Sequence, residues 1–203
     1  ANIISLTELL ENENADKLNE DSKTYLKYLK SSSFALKDYI DGLLIYYKND
    51  DLLKLKKETI AFETLVLEAK KIAIAKNNII FNYTQTPISV FVNKYVILQI
   101  LINLITNAIK YCDKDLAEIT IDLKINQSHY NFSVKDNGKG IPKPKINSVF
   151  DLFTTLDNKD KDGNQGTGIG LATVKKLVEH QGGKVSVTSQ EGLGSTFNFS
   201  IEK

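Results

Sequence analysis

The sequence has 203 residues, 42% of them hydrophobic, and a formal net charge of +1 at pH 7. That apolar content suffices for one good core and a smaller appended element, whereas the near-neutral charge argues against a nucleic-acid or acidic-membrane binder, which needs a concentrated basic surface. One cysteine excludes an internal disulfide, and because no secretory leader or long apolar run is recognised, we expect a reducing, cytoplasmic setting.

The absence of methionine and of arginine from the sequence carries information. There is no methionine, so we expect the chain to be part of a longer protein, and whether that parent is membrane-anchored is left open. There is no arginine either, since all 26 basic residues are lysines. A site that usually employs an arginine fork therefore has to use lysine point charges.

The first fifty residues predict a helical hairpin. Residues 1–10 read as the last turns of one helix, 11–14 as a polar break, and about 15–48 as a second helix. In the second helix Leu29, Leu36 and Leu43 recur at intervals of seven, within an apolar stripe wide enough for a bundle. Because two helices alone bury too little, we expect a dimeric four-helix bundle. The alternative is an amphipathic helix that lies on its own domain.

Residues 49–57 predict a polar boundary between a domain over residues 1–50 and a second domain over residues 57–203. The second domain shows the following pattern: a strand then a helix over 58–76, strands at 79–83 and 88–92, a helix over 95–111, alternating strands at 119–125 and 130–135, a helix over 169–181, and a hairpin of 184–189 with 196–201. Helices interleaved with alternating strands predict a layered domain, with one sheet face wet and the other covered by helices.

The helix over Tyr95–Tyr111 combines a strongly apolar surface with a line of neutral polar side chains. Gln99, Asn103, Thr106, Asn107 and Lys110 recur at spacings of three and four, so they share one helix face. No charge occurs between Lys94 and Lys110, which favours the wall of a site over a wet surface. The alternative is a core helix whose amides satisfy neighbouring backbone groups. A membrane span is excluded, since it needs about 20 apolar residues with few amides.

Three glycine-rich stretches follow that helix. Asp136–Pro142 ends a strand, and its glycines allow a flat ligand to approach a carboxylate that can accept from an exocyclic amine, although DNG alone is more often a turn. Gly166–Leu171 opens a helix, where free backbone N–H groups favour phosphate, but its spacing fits neither a dinucleotide fingerprint nor a Walker loop. Gly192–Gly194 is predicted to turn a hairpin.

Residues 142–165 predict a lid between the first two glycine stretches. A loop this long is usually functional or disordered. Glycines would hinge the lid, and Phe150 and Phe153 would pin it to the domain. The alternative is a small helix packed on the core and followed by a polar loop.

In this order, NLITNAIKY, DNGKGIP, VFDLF, GTGIGL and GLGSTF resemble the N, first-glycine, F, second-glycine and third-glycine boxes of bacterial sensor histidine kinases. Each box alone is a weak signal, but five in register are specific. The resemblance implies an α+β two-layer sandwich of the Bergerat ATP-binding type, with a mixed sheet and helices on one face, preceded by a helical dimerisation hairpin. It implies ATP and Mg²⁺ as cofactors.

The resemblance also implies the roles of individual residues. Asn107 would ligate Mg²⁺, Asn103 would lie beside it toward the phosphates, and Lys110 would reach a phosphate, so these three form the implied catalytic set. Asp136 would bind the adenine amine, and the glycines of the second stretch would let the lid close. The implied nucleotide-binding residues are Asn103, Asn107, Lys110, Tyr111, Asp136, Gly138, Gly140, Ile141, Phe153, Gly166, Thr167, Gly168, Gly170, Leu171 and Thr196.

In this family the γ-phosphoryl passes to a histidine on the first hairpin helix and then to an aspartate of a response-regulator receiver domain, mainly through positioning and charge neutralisation. We expect the acceptor to precede Ala1, and we expect His129 and His180 to be structural. The chain would then bind Mg-ATP and form a homodimer without phosphorylating itself. No nucleic-acid partner and no direct membrane contact are expected. The usual lid arginines are replaced by lysines: Lys143, Lys145, Lys159 and Lys161.

Three alternatives remain within the resemblance. ATP-hydrolysing clamps of the gyrase, mismatch-repair and heat-shock chaperone type share the fold, but they use a glutamate where this chain has Asn103. Anti-sigma-factor kinases, which act on serine, share it without needing a helical hairpin. The last alternative is a non-catalytic dimerisation module that retains a vestigial nucleotide pocket.

Overall fold

The computed structural model of the chain describes residues 3–13, 18–26, 28–30, 32–33, 56–74, 79–85, 87–155 and 166–203. Most of the predicted second hairpin helix, nearly all of the predicted domain boundary and the 156–165 portion of the predicted lid lie outside the described residues. The division into domains at residues 50 and 57 therefore stays a prediction.

Two helical segments form the described part of the hairpin. Helix α1 spans Ile3–Glu13 and so continues through most of the predicted polar break, because glutamate is a good helix former. The second segment is helical at residues 20–26, 28–30 and 32–33. Asn19 caps its start by accepting a hydrogen bond from Ser22 N at 2.8 Å. The second helix thus begins later than residue 15, where the sequence predicts its start.

Ion pairs connect the two helical segments. Lys30 Nζ lies 3.5 Å from Glu8 Oε1 and 3.3 Å from Glu11 Oε2. Because these pairs are at the surface, each contributes at most about 1 kcal/mol to stability. Their geometry nevertheless places the two segments within side-chain reach of each other, as a hairpin requires.

A mixed five-stranded sheet forms one layer of the second domain. Its strands are numbered in chain order together with those of a separate two-stranded sheet: β1 Glu58–Ala61, β2 Ile79–Tyr83, β3 Ser89–Val92, β4 Ala117–Ile125, β5 His129–Asp136, β6 Val185–Gln190 and β7 Gly194–Glu202. The order in the large sheet is β2-β4-β5-β7-β6, with β2 parallel to β4 and all other neighbours antiparallel. Strands β1 and β3 pair antiparallel in the small sheet.

Three helices form the other layer: α2 Phe62–Ala73, α3 Lys94–Lys110 and α4 Gly170–His180. Helix α3 contacts both α2 and α4. It begins at Asn93, whose side chain accepts a hydrogen bond from Val96 N at 3.3 Å. The amide-bearing helix predicted over residues 95–111 is therefore present and lies centrally in the helical layer.

Alternation along the strands decides which sheet face is covered. On β5 and β7, the side chains of Phe132, Val134, Phe199 and Ile201 are buried, and the rings of Phe132 and Phe199 stack with their centroids 4.7 Å apart. On the opposite face polar side chains recur at the alternate positions. One covered and one open face are what the sequence predicted, and the α+β two-layer sandwich with a mixed sheet is confirmed.

The pairing of the early strands is a feature that the sequence did not reveal. Residues 79–83 and 89–92 are almost consecutive in the chain, yet β2 joins the large sheet and β3 pairs with β1. A parallel pair needs a crossover, and here β3 and α3 provide the connection from β2 to β4.

Among the helices that the structure describes, none combines the length and apolarity needed to cross a membrane.

Candidate functional site

The amides of α3 point toward the first residue of α4. A Cβ atom built on Gly170 would lie 3.7 Å from Asn103 Oδ1 and 4.0 Å from Asn107 Nδ2. Asn103 Nδ2 is buried and has no hydrogen-bond partner among the described residues. An unsatisfied buried amide costs about 1–3 kcal/mol. A ligand acceptor at this point would remove that cost.

The start of α4 adds backbone donors to the same place. The helix has eleven residues, and no side chain caps its N-terminus at Ile169. The first N–H groups of a helix lack intrahelical acceptors and carry a partial positive charge, which favours an anion such as phosphate. The amide of Asn103, unpartnered among the described residues, and the start of α4 thus place hydrogen-bond donors of the kind that suits phosphate oxygens close together.

Asp136, at the end of β5, supplies the acidic group of the site. Its side chain is buried, and Oδ1 accepts hydrogen bonds from Gly138 N at 2.9 Å and Ser195 N at 3.1 Å. Both bonds go to Oδ1, so Oδ2 is available to a donor on a ligand. Burial raises the pKa of this carboxyl above its ordinary value, while the two N–H bonds and the charge of Lys114 oppose the rise.

Tyr111, directly after α3, joins the acidic group to the phosphate site. Its carbonyl oxygen accepts a hydrogen bond from Lys139 N at 3.1 Å, and a Cβ on Gly138 would lie 2.9 Å from the same oxygen. Its hydroxyl oxygen occupies the place where a Cβ on Gly166 would be. The first and second glycine stretches therefore meet at the end of the amide-bearing helix.

The other predicted glycines lie at close backbone contacts. Gly140 has a φ of +73°, and a Cβ there would overlap the carbonyl of Gln190. Gly168 has a φ of +68°, and its carbonyl accepts a hydrogen bond from Phe153 N at 3.0 Å. Phe153 is 48% exposed with a φ of +65°, so this contact connects the start of the lid to the second glycine stretch.

The remaining predicted site residues differ in how far their side chains are exposed. Lys110 is exposed at the last position of α3, and Thr167 is half-buried between two of the lid glycines. Ile141 is buried, and the half-buried Leu171 packs against the core. Their contacts with a nucleotide stay predictions.

Thr196 requires a correction. The alternation of β7 places its side chain on the open face of the sheet, opposite Lys135 on β5 and Thr188 on β6. The next residue toward the turn, Ser195, is buried and donates its N–H to the carboxylate of Asp136. The residue that bonds to Asp136 is thus Ser195, through its backbone N–H, while the side chain of Thr196 faces the opposite side of the sheet.

Asn137 is a site residue that the sequence did not single out. Its Oδ1 accepts a hydrogen bond from Glu118 N at 2.9 Å, and its Nδ2 donates to Leu116 O at 3.1 Å. Cys112 Sγ lies 3.6 Å from the same Oδ1. Through its side chain, Asn137 therefore connects the end of β5 to the segment that follows α3. No pattern in the sequence indicates bonds to groups about twenty residues away.

A separate concave groove of about 340 Å³ lies on the open face of the sheet. Its lining is polar, and Asp122, Ser133, Asn198 and Ser200 are among its residues. None of the predicted site residues lines this groove. It is distinct from the site between α3 and α4.

Metal binding at the site would depend on amide oxygen. Among the described residues, no group of three or more His, Cys, Asp or Glu side chains is placed to hold a metal ion. Mg²⁺ prefers oxygen ligands and commonly combines one or two protein oxygens with water and substrate phosphates. Asn107, beside the start of α4, fits that mode of binding.

The fold and the site define a two-layer nucleotide-binding domain, and the sequence comparison agrees. Residues 93–203 match the family model for the histidine kinase-, DNA gyrase B-, and HSP90-like ATPases. The chain belongs to this ATPase family. The match includes α3, all three glycine stretches and the four C-terminal strands.

The curated relatives are histidine kinases and a phytochrome. The chain is 32% identical to hybrid signal transduction histidine kinase B of Dictyostelium discoideum, over 91% of this chain and 10% of that protein. It is 31% identical to cyanobacterial phytochrome A of Nostoc sp., over 98% and 26% respectively, and 28% identical to sensor histidine kinase WalK of Bacillus subtilis, over 88% and 33%. The chain spans between about a tenth and a third of these relatives.

Solved structures support the same family. The catalytic domain of the histidine kinase ThkA superposes with a TM-score of 0.61 at 28% identity, covering 73% of this chain and 99% of that domain. Full-length ShkA in complex with AMPPNP superposes with a TM-score of 0.70, covering 98% of this chain and 42% of ShkA. At 23% identity the second match shows the fold alone.

The first prediction concerns the backbone contact at Gly140. Gly140→Ala and Gly192→Ala both place a side chain at positive φ, which costs about 1–2 kcal/mol. Only at Gly140 does the new Cβ also overlap backbone, since nothing lies within 4 Å of a Cβ at Gly192. We expect Gly140→Ala to lower the free energy of unfolding clearly more than Gly192→Ala, as measured by urea denaturation. Equal losses would contradict the close contact.

The second prediction concerns the charge of Asp136. A carboxyl whose pKa is raised on folding favours the folded state when protonated, so its contribution to stability is lost as pH rises from the ordinary value of 3.8 through the folded-state pKa. Asp136→Asn removes this titration and keeps an oxygen for Gly138 N and Ser195 N. The urea midpoint of the variant minus that of the wild type should therefore increase as the pH rises from 4 to 7. A constant difference across this range would contradict the raised pKa.

Proposed function

We propose that this chain is the ATP-binding catalytic part of a sensor histidine kinase. The observation that carries the proposal is the buried, unpartnered amide of Asn103 at the start of α4, joined through Tyr111 to the carboxylate of Asp136. Tyr111, at the end of the same helix as Asn103, contacts both Gly138, which donates to Asp136, and Gly166, which precedes α4. ATP carries groups complementary to the amide and to the carboxylate.

ATP would lie with its base toward Asp136 and its phosphates toward α4. Asp136 Oδ2 would accept a hydrogen bond from the exocyclic amine of adenine, since Oδ1 already accepts two backbone N–H groups. Asn103 Nδ2 and the first N–H groups of α4 would donate to phosphate oxygens. Asn107 would hold Mg²⁺, which supplies charge neutralisation at the phosphates, and Lys110 would reach a phosphate from the last turn of α3.

The acceptor of the γ-phosphoryl would be a histidine outside these 203 residues. His129 begins β5 and His180 ends α4, so neither belongs to the helical hairpin. In the transfer, the bond from the γ-phosphorus to the bridging oxygen breaks, a bond to an imidazole nitrogen forms, and ADP leaves. Positioning and charge neutralisation account for most of the rate in such transfers.

Two comparisons support this assignment over ATP hydrolysis. Histidine kinases are among the curated relatives at 28–32% identity. Hydrolysing members of the family use a glutamate to activate water, whereas α3 carries no carboxylate between Lys94 and Lys110.

One solved relative of the same fold is ThkA in complex with the response regulator TrrA. We accordingly propose a response-regulator receiver domain as partner and a cytoplasmic setting.

The hairpin would form a homodimer. On α1 the side chains of Ile3, Leu6 and Leu10 are each about half exposed or more, and on the second segment Tyr25 and Leu29 are 65% and 53% exposed. Apolar side chains along both helices of a hairpin favour a four-helix bundle made with a second copy. The chain would then comprise a dimerisation domain over residues 1–50 and an ATP-binding domain over 57–203.

The third prediction tests phosphoryl transfer. The chain is mixed with γ-labelled ATP, Mg²⁺ and a protein that carries the first hairpin helix with its histidine, and acid-labile, base-stable phosphate is measured. We expect Asn107→Ala to lower the labelling rate on the order of 100-fold through loss of metal positioning. The matched control is Asn131→Ala, a half-buried amide on β5, which should label normally.

Two outcomes would contradict the kinase assignment. One is absence of label at saturating nucleotide with the wild-type chain. The other is release of inorganic phosphate without any acceptor at rates far above background, which would favour an ATP-hydrolysing clamp.

The fourth prediction tests the homodimer. The wild-type chain should sediment at about twice its mass of 22.7 kDa. Replacing Leu6 and Leu10 together by Glu places charge in the proposed bundle core, and we expect the variant to sediment as a monomer that still binds ATP. Ile72→Glu is the control, because Ile72 is an equally exposed apolar residue on α2. A dimer that persists in the double variant would disprove this interface.

A further inference from the structure

Ser189, near the end of β6, connects three segments of the chain through one hydroxyl group. Its Oγ lies 2.8 Å from Ile141 N, 2.9 Å from Gly194 O and 2.9 Å from Ser195 Oγ. Ile141 ends the first glycine stretch, while Gly194 and Ser195 belong to the third. The sequence analysis drew no attention to Ser189.

The chemistry of the partners fixes the direction of each bond. A hydroxyl group donates once and accepts up to twice. Ile141 N can only donate and Gly194 O can only accept, so the proton of Ser189 goes to Gly194. Ser195 Oγ must then donate its proton to Ser189 Oγ. Every hydrogen-bonding position of Ser189 is therefore used.

The groups that Ser189 connects are those that orient Asp136. Ser195 donates its backbone N–H to Asp136 Oδ1, and Gly194, at a φ of +111°, packs so closely on Asp136 O that no Cβ would fit. The second N–H on Oδ1 comes from Gly138, in the stretch that Ile141 ends. Both donors to the carboxylate thus lie in segments held by the Ser189 hydroxyl.

We infer that Ser189 is a positioning residue for recognition of the base, which acts by fixing the direction of the Asp136 carboxylate. This inference rests on the proposed function, in which Asp136 Oδ2 accepts the adenine amine. Without the hydroxyl, the bridge from Ile141 N to Gly194 O and Ser195 Oγ is lost, and the backbone bond from Gly192 N to Lys139 O remains. The carboxylate would then keep its place on β5 and lose its fixed orientation.

The fifth prediction tests this role with two nucleotides. Purine riboside triphosphate retains the ring and triphosphate of ATP but lacks the exocyclic amine. We expect Ser189→Ala to weaken ATP binding about five- to tenfold, as the loss of roughly one hydrogen bond allows, and to leave the Kd for the amine-free analogue unchanged. Titration calorimetry with the full chain measures both constants. Ser189→Thr, which keeps the hydroxyl, should restore the affinity for ATP.

A double-mutant cycle and a control variant complete the test. Asp136→Asn should show the same selective loss, and adding Ser189→Ala to it should cause no further loss, because both act on one contact. Ser186→Ala, an exposed serine on the same strand, should bind both nucleotides as the wild type does. Should Ser189→Ala not fold, Ser195→Ala removes the donor of the same hydroxyl pair and carries the same expectation.

The outcomes separate the two proposals. Equal weakening of both nucleotides, or unchanged binding of ATP, in Ser189→Ala would overturn the positioning role while a selective loss in Asp136→Asn still supports the proposed function. If the wild type does not prefer ATP over the amine-free analogue, or if Asp136→Asn has no effect, the assignment of Asp136 fails and the inference about Ser189 fails with it.

Discussion

A largely buried helix that carries amides and, between its terminal lysines, no charge is the constraint on which this domain depends. Helix α3 contacts both other helices of the layer and the sheet, so its position is fixed by the core. Amides tolerate that burial at a cost of a few kcal/mol, whereas an unpaired charge would cost far more. The apolar packing around α3 supplies the stability with which Asn103 Nδ2 stays buried without a hydrogen-bond partner among the described residues.

At Asp136, burial and hydrogen bonding act in opposite directions on the charged carboxylate. Asp136 is buried enough to raise its pKa, yet two backbone N–H groups stabilise its charge and orient it. These N–H groups come from the first and third glycine stretches, which Ser189 connects through its hydroxyl. Because burial raises its pKa, the charged carboxylate lowers the stability of the fold at neutral pH, a cost that is common at binding sites.

Tertiary contacts also explain why the sequence identified some site residues and missed others. Asn103, Asn107 and Asp136 stand out because helical spacing and the end of a strand are local patterns. Asn137 and Ser189 do not, since their partners lie about twenty and about fifty residues away along the chain. The third glycine motif indicates only the neighbourhood of Thr196, while strand register decides that Ser195 lies on the covered face of the sheet and Thr196 on the open one.

The sequence by itself determined that a helical region precedes the sheet domain, which faces of the sheet are covered and open, and the family, because periodicity and glycine spacing are carried by residues close along the chain. It did not determine that β2 pairs in parallel with β4, or that β1 and β3 form a sheet of their own. Nor did it determine the meeting of two glycine stretches at Tyr111. Those features depend on hydrogen bonds between backbone groups that are distant along the chain, and only the packed core brings those groups together.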